Sequence, residues 1–190
     1  MYGSLTQVYQ APTGTNSRYD QVVRNEGGNT IPVIIAVDTR NIPNVNANGG
    51  ALKSKFTVSL SSEFRDVVSI ELVNAIIPHT IDINNNALPF PYLILNVNNL
   101  KKVAGNTNDL ESSFCIIGSS VQENNNYIHK RRGSVPDDVY TYYYREPTRI
   151  NKLDIQLSAP AGTSPNFVAG DHPVLVFEIR TLTQHRKLVC

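Results

Sequence analysis

The sequence predicts an all-β protein, and three observations lead there. Two segments alternate apolar and polar residues with a period of two: Phe56, Val58 and Leu60 against Thr57, Ser59 and Ser61, then Leu153, Ile155 and Leu157 against Asp154, Gln156 and Ser158. Successive side chains of a strand point to opposite faces, so each of these is a strand with one face buried. Several shorter runs are continuously apolar, and beyond the first 30 residues no stretch of ten keeps a 3.6-residue period. The connections between the runs are long and rich in Asn, Gly and Pro, which suits strands that cross between two packed sheets better than a meander of tight hairpins. The expected architecture is therefore a sandwich of the Greek-key or jelly-roll kind, built from eight strands.

Taken in order, residues 1–30 carry turn formers and polar side chains, with Leu5, Val8, Tyr9, Tyr19, Val22 and Val23 scattered among them. Such spacing cannot close a core; it reads either as an arm that docks on a partner or as a frayed terminus. Ser17 and Asp20 allow one short capped helical turn before Val22. Residues 31–190 read as the folded domain. Val33–Val37, Val67–Ile77, Tyr92–Val97, Phe114–Ile117 and Val174–Ile179 are continuously apolar or nearly so, the pattern of strands covered on both faces. Val139–Tyr144 is rich in strand-favouring Tyr. With the two alternating segments these make eight strands. Residues 39–54, 78–91, 98–112 and 119–138 are expected to be loops, and runs such as Asn44–Gly50 and Asn84-Asn85-Asn86 supply residues that tolerate positive φ.

Composition narrows the function classes. The chain has 190 residues, a net charge of +1 and only 17% charged residues, against 21 Asn. About 25% charge is ordinary, so a surface this sparing of charge suits a chain covered by other protein chains. A net charge near zero argues against a nucleic-acid coat, which needs clustered Lys and Arg. The N-terminus has no signal-peptide pattern, and Glu71 and Asn74 interrupt the Ile70–Pro78 run, so no membrane span is expected. None of the 21 Asn lies in an Asn-x-Ser/Thr acceptor. Cys115 and Cys190 make no disulfide framework, which fits a reducing compartment.

Motifs for chemistry are mostly lacking. There is no phosphate loop, dinucleotide fingerprint or Gly-x-Ser-x-Gly elbow. His79, His129, His172 and His185 fall in separate segments, without the close spacing of a metal-binding pair. Asp171-His172 could orient a base, though a loop His before Pro also reads as structural. Asp137-Asp138 are adjacent and badly spaced for paired acid–base work. No catalytic residue, metal or cofactor is expected. Two surface features remain. Lys130-Arg131-Arg132 lie in a polar segment and read either as a solvated patch or as a contact to an acidic partner or nucleic acid. The Tyr140–Tyr144 run reads either as an interface or as a strand with core and exposed tyrosines, Tyr142 and Tyr144 being the candidate contact residues.

The order of segments is similar to that of jelly-roll capsid proteins of large icosahedral DNA viruses, their penton and minor capsid proteins. The resemblance is carried by Val37-Asp38-Thr39-Arg40, Phe56–Leu60, Val68–Pro78, Pro91–Val97, Ser113–Ile117, Ile150–Leu157, Ala161-Gly162, Phe167, and Gly170-Asp171-His172-Pro173 running into Val174–Ile179. It spans roughly residues 33–180, and the loops 39–54 and 119–138 do not align. It implies a single eight-stranded jelly roll acting as a shell component, assembled in the infected host cell and residing in the virion, without an enzymatic site. A single roll is the form of the penton proteins, five copies closing each vertex as a homo-pentamer through a heterologous ring interface. The expected partners are the major capsid protein and minor capsid proteins. A minor capsid protein cementing the shell from within is the alternative use of the same fold. Interface candidates are Leu5, Val8, Tyr9 and Tyr19 in the arm, Tyr142 and Tyr144, and Arg131 and Arg132. A carbohydrate-binding sandwich, using Tyr142 or Tyr144 as stacking platforms, and a metal-dependent cupin-type enzyme are the rival classes.

Overall fold

The structure is a computed structural model that describes residues 30–41, 54–81, 90–103, 110, 113–120, 126–132, 139–160, 165–167 and 172–183. Among these residues the protein is all-β. Nine strands occur in chain order: β1 (Thr30–Asp38), β2 (Lys55–Ile77), β3 (Thr80–Ile81), β4 (Tyr92–Val97), β5 (Cys115–Ser120), β6 (Asn126–Lys130), β7 (Thr141–Ser158), β8 (Asn166–Phe167) and β9 (Val174–Leu182). A 3-10 turn, Thr39–Asn41, follows β1.

Seven strands form one hydrogen-bonded system in the order β1-β9-β2-β6-β5-β4-β7, and β7 pairs back on β2. The sheet therefore curls round on itself, as a sandwich or barrel must if both edges of a half-apolar sheet are to be used. The small β3–β8 pair is separate. Every pairing is antiparallel.

The long strand β2 organises the rest by changing partners along its length. Its first part, Lys55–Ser59, lies beside Lys152–Gln156 of β7. Its second part, Val67–Ile76, lies beside β9, with the other edge taken first by Thr141–Tyr143 of β7 and then, from Asn74, by β6. Register shifts between Ser59 and Ser69 and again between Leu72 and Asn74 let the strand bend as it passes from one set of neighbours to the next. Asp66 takes a left-handed φ of 55° at that bend. Asn98 and Asn99 do the same in the turn after β4, where Asn is the side chain that tolerates it.

The core lies inside the curl. Val67, Ile70, Leu72, Ala75 and Ile77 of β2 meet Leu93, Leu95 and Val97 of β4, Leu153, Ile155 and Leu157 of β7, and Leu175, Phe177 and Ile179 of β9. These are the inward positions of the period-two pattern, and Phe114, Tyr127 and Phe167 fill the remaining space with fully buried rings. Burying each such side chain contributes roughly 1.5–3 kcal/mol.

Two expectations from sequence are corrected in detail. The segments Phe56–Ser61 and Val67–Ile77 are one continuous strand, and so are Val139–Tyr144 and Leu153–Ser158 apart from their ends. The intervening polar residues bend instead of breaking the ladder. Residues 119–138 are not one loop, because β5 runs on to Ser120 and β6 occupies Asn126–Lys130. The arm candidates Leu5, Val8, Tyr9 and Tyr19 lie outside the described residues.

Candidate functional site

The most densely built polar region surrounds the end of β6. Here β2 passes from β7 to β6, and the alternation of β6 decides which side chains meet. Tyr127 and His129 point inward, while Ile128 and Lys130 point outward and are exposed. The Tyr127 hydroxyl accepts from the Phe90 N–H at 3.2 Å, lies 3.2 Å from Phe90 O and 3.2 Å from Thr80 Oγ1. It ties β6 to two other segments. His129 places Nε2 2.9 Å from Leu72 O and stacks on Tyr140, ring centroids 3.7 Å apart. Leu72 N–H in turn donates to Tyr140 O.

Past the end of β6 the ladder continues for one bond, Arg131 N–H to Val73 O. That bond aims the Arg131 guanidinium at the β2–β9 seam. Glu71 and Glu178 stand directly opposite each other there, and like charges so placed destabilise a sheet unless a cation intervenes. Arg131 supplies it: Nη1 lies 3.0 Å from Glu71 Oε2 and 3.0 Å from Glu178 Oε2. Arg180 Nε adds a contact of 2.8 Å to Glu178 Oε1. Both carboxylates are buried. Desolvation works to lower the Arg131 pKa, but the hydrogen bonds and charges of Glu178 and Glu71 outweigh it and raise it, so the cation is permanent.

Beside this cluster an open cleft of about 630 Å³ is lined by Ile128, His129, Lys130, Arg131, Arg132 and Tyr140. The structure thus brings together the two basic candidates but gives them different tasks. Arg131 is consumed by two internal carboxylates, while Arg132 is exposed and lines the cleft with exposed Lys130.

The tyrosine candidates lie elsewhere on β7. Tyr142 and Tyr144 are half-buried, pack against the core and make a T-shaped pair with centroids 5.1 Å apart. Burial raises the Tyr144 phenol pKa, and Tyr142 adds to the effect.

The other singled-out groups among the described residues are separate, and Asp137, Asp138, Asp171, His185 and Cys190 lie outside the described residues. His172 sits near Asp38, which forms an ion pair with Arg40, and the His79 N–H donates to Asn126 Oδ1. Cys115 is buried, and burial pushes its thiol pKa up, with Lys102 acting weakly in the other direction. Among the described residues no three His, Cys, Asp or Glu side chains are grouped as metal ligands, and no helix is long and apolar enough to cross a membrane.

Sequence reasoning missed Glu71, Glu178 and His129 as a unit. The available signal was a carboxylate inside each of two apolar strands, because a charge buried there requires a cation brought from elsewhere in the fold. Comparison with protein-family models and with curated proteins finds no match for this chain.

Proposed function

We propose that this chain is a structural subunit of an icosahedral virus capsid, folded as a single eight-stranded jelly roll, and most simply the penton protein at the fivefold vertices. The observation that carries the reading is the pairing scheme. Setting aside the separate two-residue pair β3–β8 and counting β2 as two strands at its bend leaves eight: β1, the two parts of β2, then β4, β5, β6, β7 and β9. Their antiparallel pairs are first with eighth, second with seventh, third with sixth and fourth with fifth. Such a scheme supports one long antiparallel ribbon rolled up, the construction of a jelly roll. The two four-stranded layers that support the reading are β1-β9-β2-β6, using residues 67–77 of β2, and β2-β7-β4-β5, using residues 55–59. Segment order and pairing scheme both favour it.

The same observations fit a minor capsid protein that cements the shell from within, which is the second reading. Copy number per purified particle, measured against the major capsid protein by quantitative mass spectrometry, separates them. About 60 copies, five at each of twelve vertices, supports the penton role, and several hundred supports the cementing role. Absence from particles overturns both. Residues 1–30 are proposed to dock on a neighbouring shell subunit. Deleting them is expected to abolish incorporation into particles, and unchanged incorporation refutes it.

A further inference from the structure

The outer face of the β1-β9-β2-β6 layer is unlike a solvated sheet face. An antiparallel sheet with one face in water ordinarily alternates apolar-in and polar-out. Here one outward row is Val174, Ile76 and Ile128 on three adjacent strands, fixed by the registers Ile76↔Val174 and Ile76↔Ile128. The next row adds Ala36 and Val176 beside Asn74 and Lys130, and the one after it Ile34 beside Glu178 and Glu71, whose charges are met by Arg131 and Arg180. Ile34, Ile76 and Ile128 are 55%, 48% and 37% exposed. The parts of β1, β2 and β9 in this layer include segments that read from sequence as covered on both faces, and in this chain part of the outward face is exposed.

The charges at one side of the face are unbalanced. Arg131 and Arg180 are matched by Glu71 and Glu178. Lys130 and Arg132 stand exposed at the β6 end, with no ion pair among the described residues. A neighbouring surface that covered the apolar rows and also met these cations must carry carboxylates along one side. Phosphate chemistry fits less well, because a nucleic-acid backbone would place charge against the isoleucines.

We infer that this face is a protein-docking surface, and that its occupant is a segment of another protein whose apolar side chains are flanked by Asp or Glu. The isoleucine row supplies the desolvated centre and Lys130 and Arg132 the complementary rim. The inference stands on the face itself and does not depend on the capsid reading.

The test is fluorescence anisotropy on the full chain with four probes: a 14-residue peptide alternating Val and Glu, the same peptide with Lys for Glu, the same with Ser for Val, and a single-stranded DNA oligonucleotide. The Val/Glu peptide is expected to bind and the other three to bind at least about tenfold more weakly. Lys130→Glu with Arg132→Glu should move the preference to the Val/Lys peptide, a swap that mere loss of structure cannot produce. Ile76→Ser with Ile128→Ser should abolish binding, its folding being checked by thermal unfolding. Failure of the Val/Glu peptide to bind, equal binding of the Ser peptide, or preference for DNA overturns the proposal. So does light scattering showing a dimer that Ile76→Ser with Ile128→Ser dissociates, since the occupant is then a second copy.

Discussion

Replacing Arg131 by Met removes one guanidinium and exposes how much the end of β6 depends on it. The side chains of Glu71 and Glu178 are only 2% and 5% exposed, and each has a carboxylate oxygen 3.0 Å from Arg131 Nη1. At an effective dielectric of about 20, each contact is worth roughly 5 kcal/mol of Coulomb attraction before desolvation is charged against it. Removing one partner of a buried pair costs about 3–5 kcal/mol, because the remaining charge stays in a poor dielectric. Glu178 retains Arg180, and adding Glu71→Gln to the variant, which removes one of the two carboxylates that Arg131 bridges, should recover about 1 kcal/mol. Arg131→Lys should cost far less, about 1 kcal/mol, because one nitrogen bridges both carboxylates and an ammonium can do the same. Urea unfolding with slope and midpoint fitted separately gives each value. A cost below about 1 kcal/mol for Arg131→Met would mean that water screens the cluster as it does a surface pair, and the reasoning would fail.

Three further outcomes follow from the same structure. Burial keeps the Cys115 thiol protonated at neutral pH, so peptide mapping after iodoacetamide should find it unmodified in the native protein and alkylated in urea; native alkylation would contradict its burial. The Asp38 pKa is lowered to about 2 by hydrogen bonds from Arg40, and that of Asp154 is lowered by Thr57 and then Lys152. Both carboxylates therefore stabilise the fold above about pH 4, and that contribution is lost as pH falls through their folded values. Asp38→Asn with Asp154→Asn should accordingly flatten the fall of the urea midpoint between pH 4 and about pH 2, and an unchanged fall would show that other groups carry it. Tyr127→Phe removes the hydroxyl shared with Phe90 and Thr80, and calorimetry should record a loss of about 1–2 kcal/mol.

Much of this fold was legible because strand patterns are local. Tyr92–Val97 is a strand to the residue, and Phe56–Leu60 and Leu153–Leu157 alternate as their half-burial requires. The joins were not legible. Ser61–Asp66 and Arg145–Arg149 are polar enough to suggest breaks, yet strand pairing holds them in β2 and β7 across register shifts that no local pattern records. β6 was hidden for another reason. Asn124-Asn125-Asn126 and Lys130-Arg131-Arg132 frame only three residues between them, and the inward Tyr127 and His129 are not aliphatic. The site suffered most, because Glu71 and Arg131 are 60 positions apart in sequence, and only the pairing of β6 with β2 brings them together.

That pairing also gives the buried charges a role beyond stability. Only Asn74–Ile77 of β2 and Tyr127–Lys130 of β6 are in register, a short ladder that backbone bonds alone specify poorly. A slip of one residue would turn Tyr127 and His129 outward and bring Ile128 and Lys130 against the core. It would also carry Arg131 away from Glu71 and Glu178, leaving two facing carboxylates buried without their shared cation. The slipped state is thereby penalised by several kcal/mol, whereas an apolar pair would tolerate it. On this reasoning Arg131→Met with Glu71→Met and Glu178→Leu should be about as stable as the parent, since similar volumes fill the seam without desolvating charge. It should nevertheless lose a single register, and amide spectra of β6 should then show doubled or broadened peaks where the parent shows one set. One sharp set of β6 peaks in the triple variant would show that packing of Tyr127 and His129 fixes the register without help from the charges.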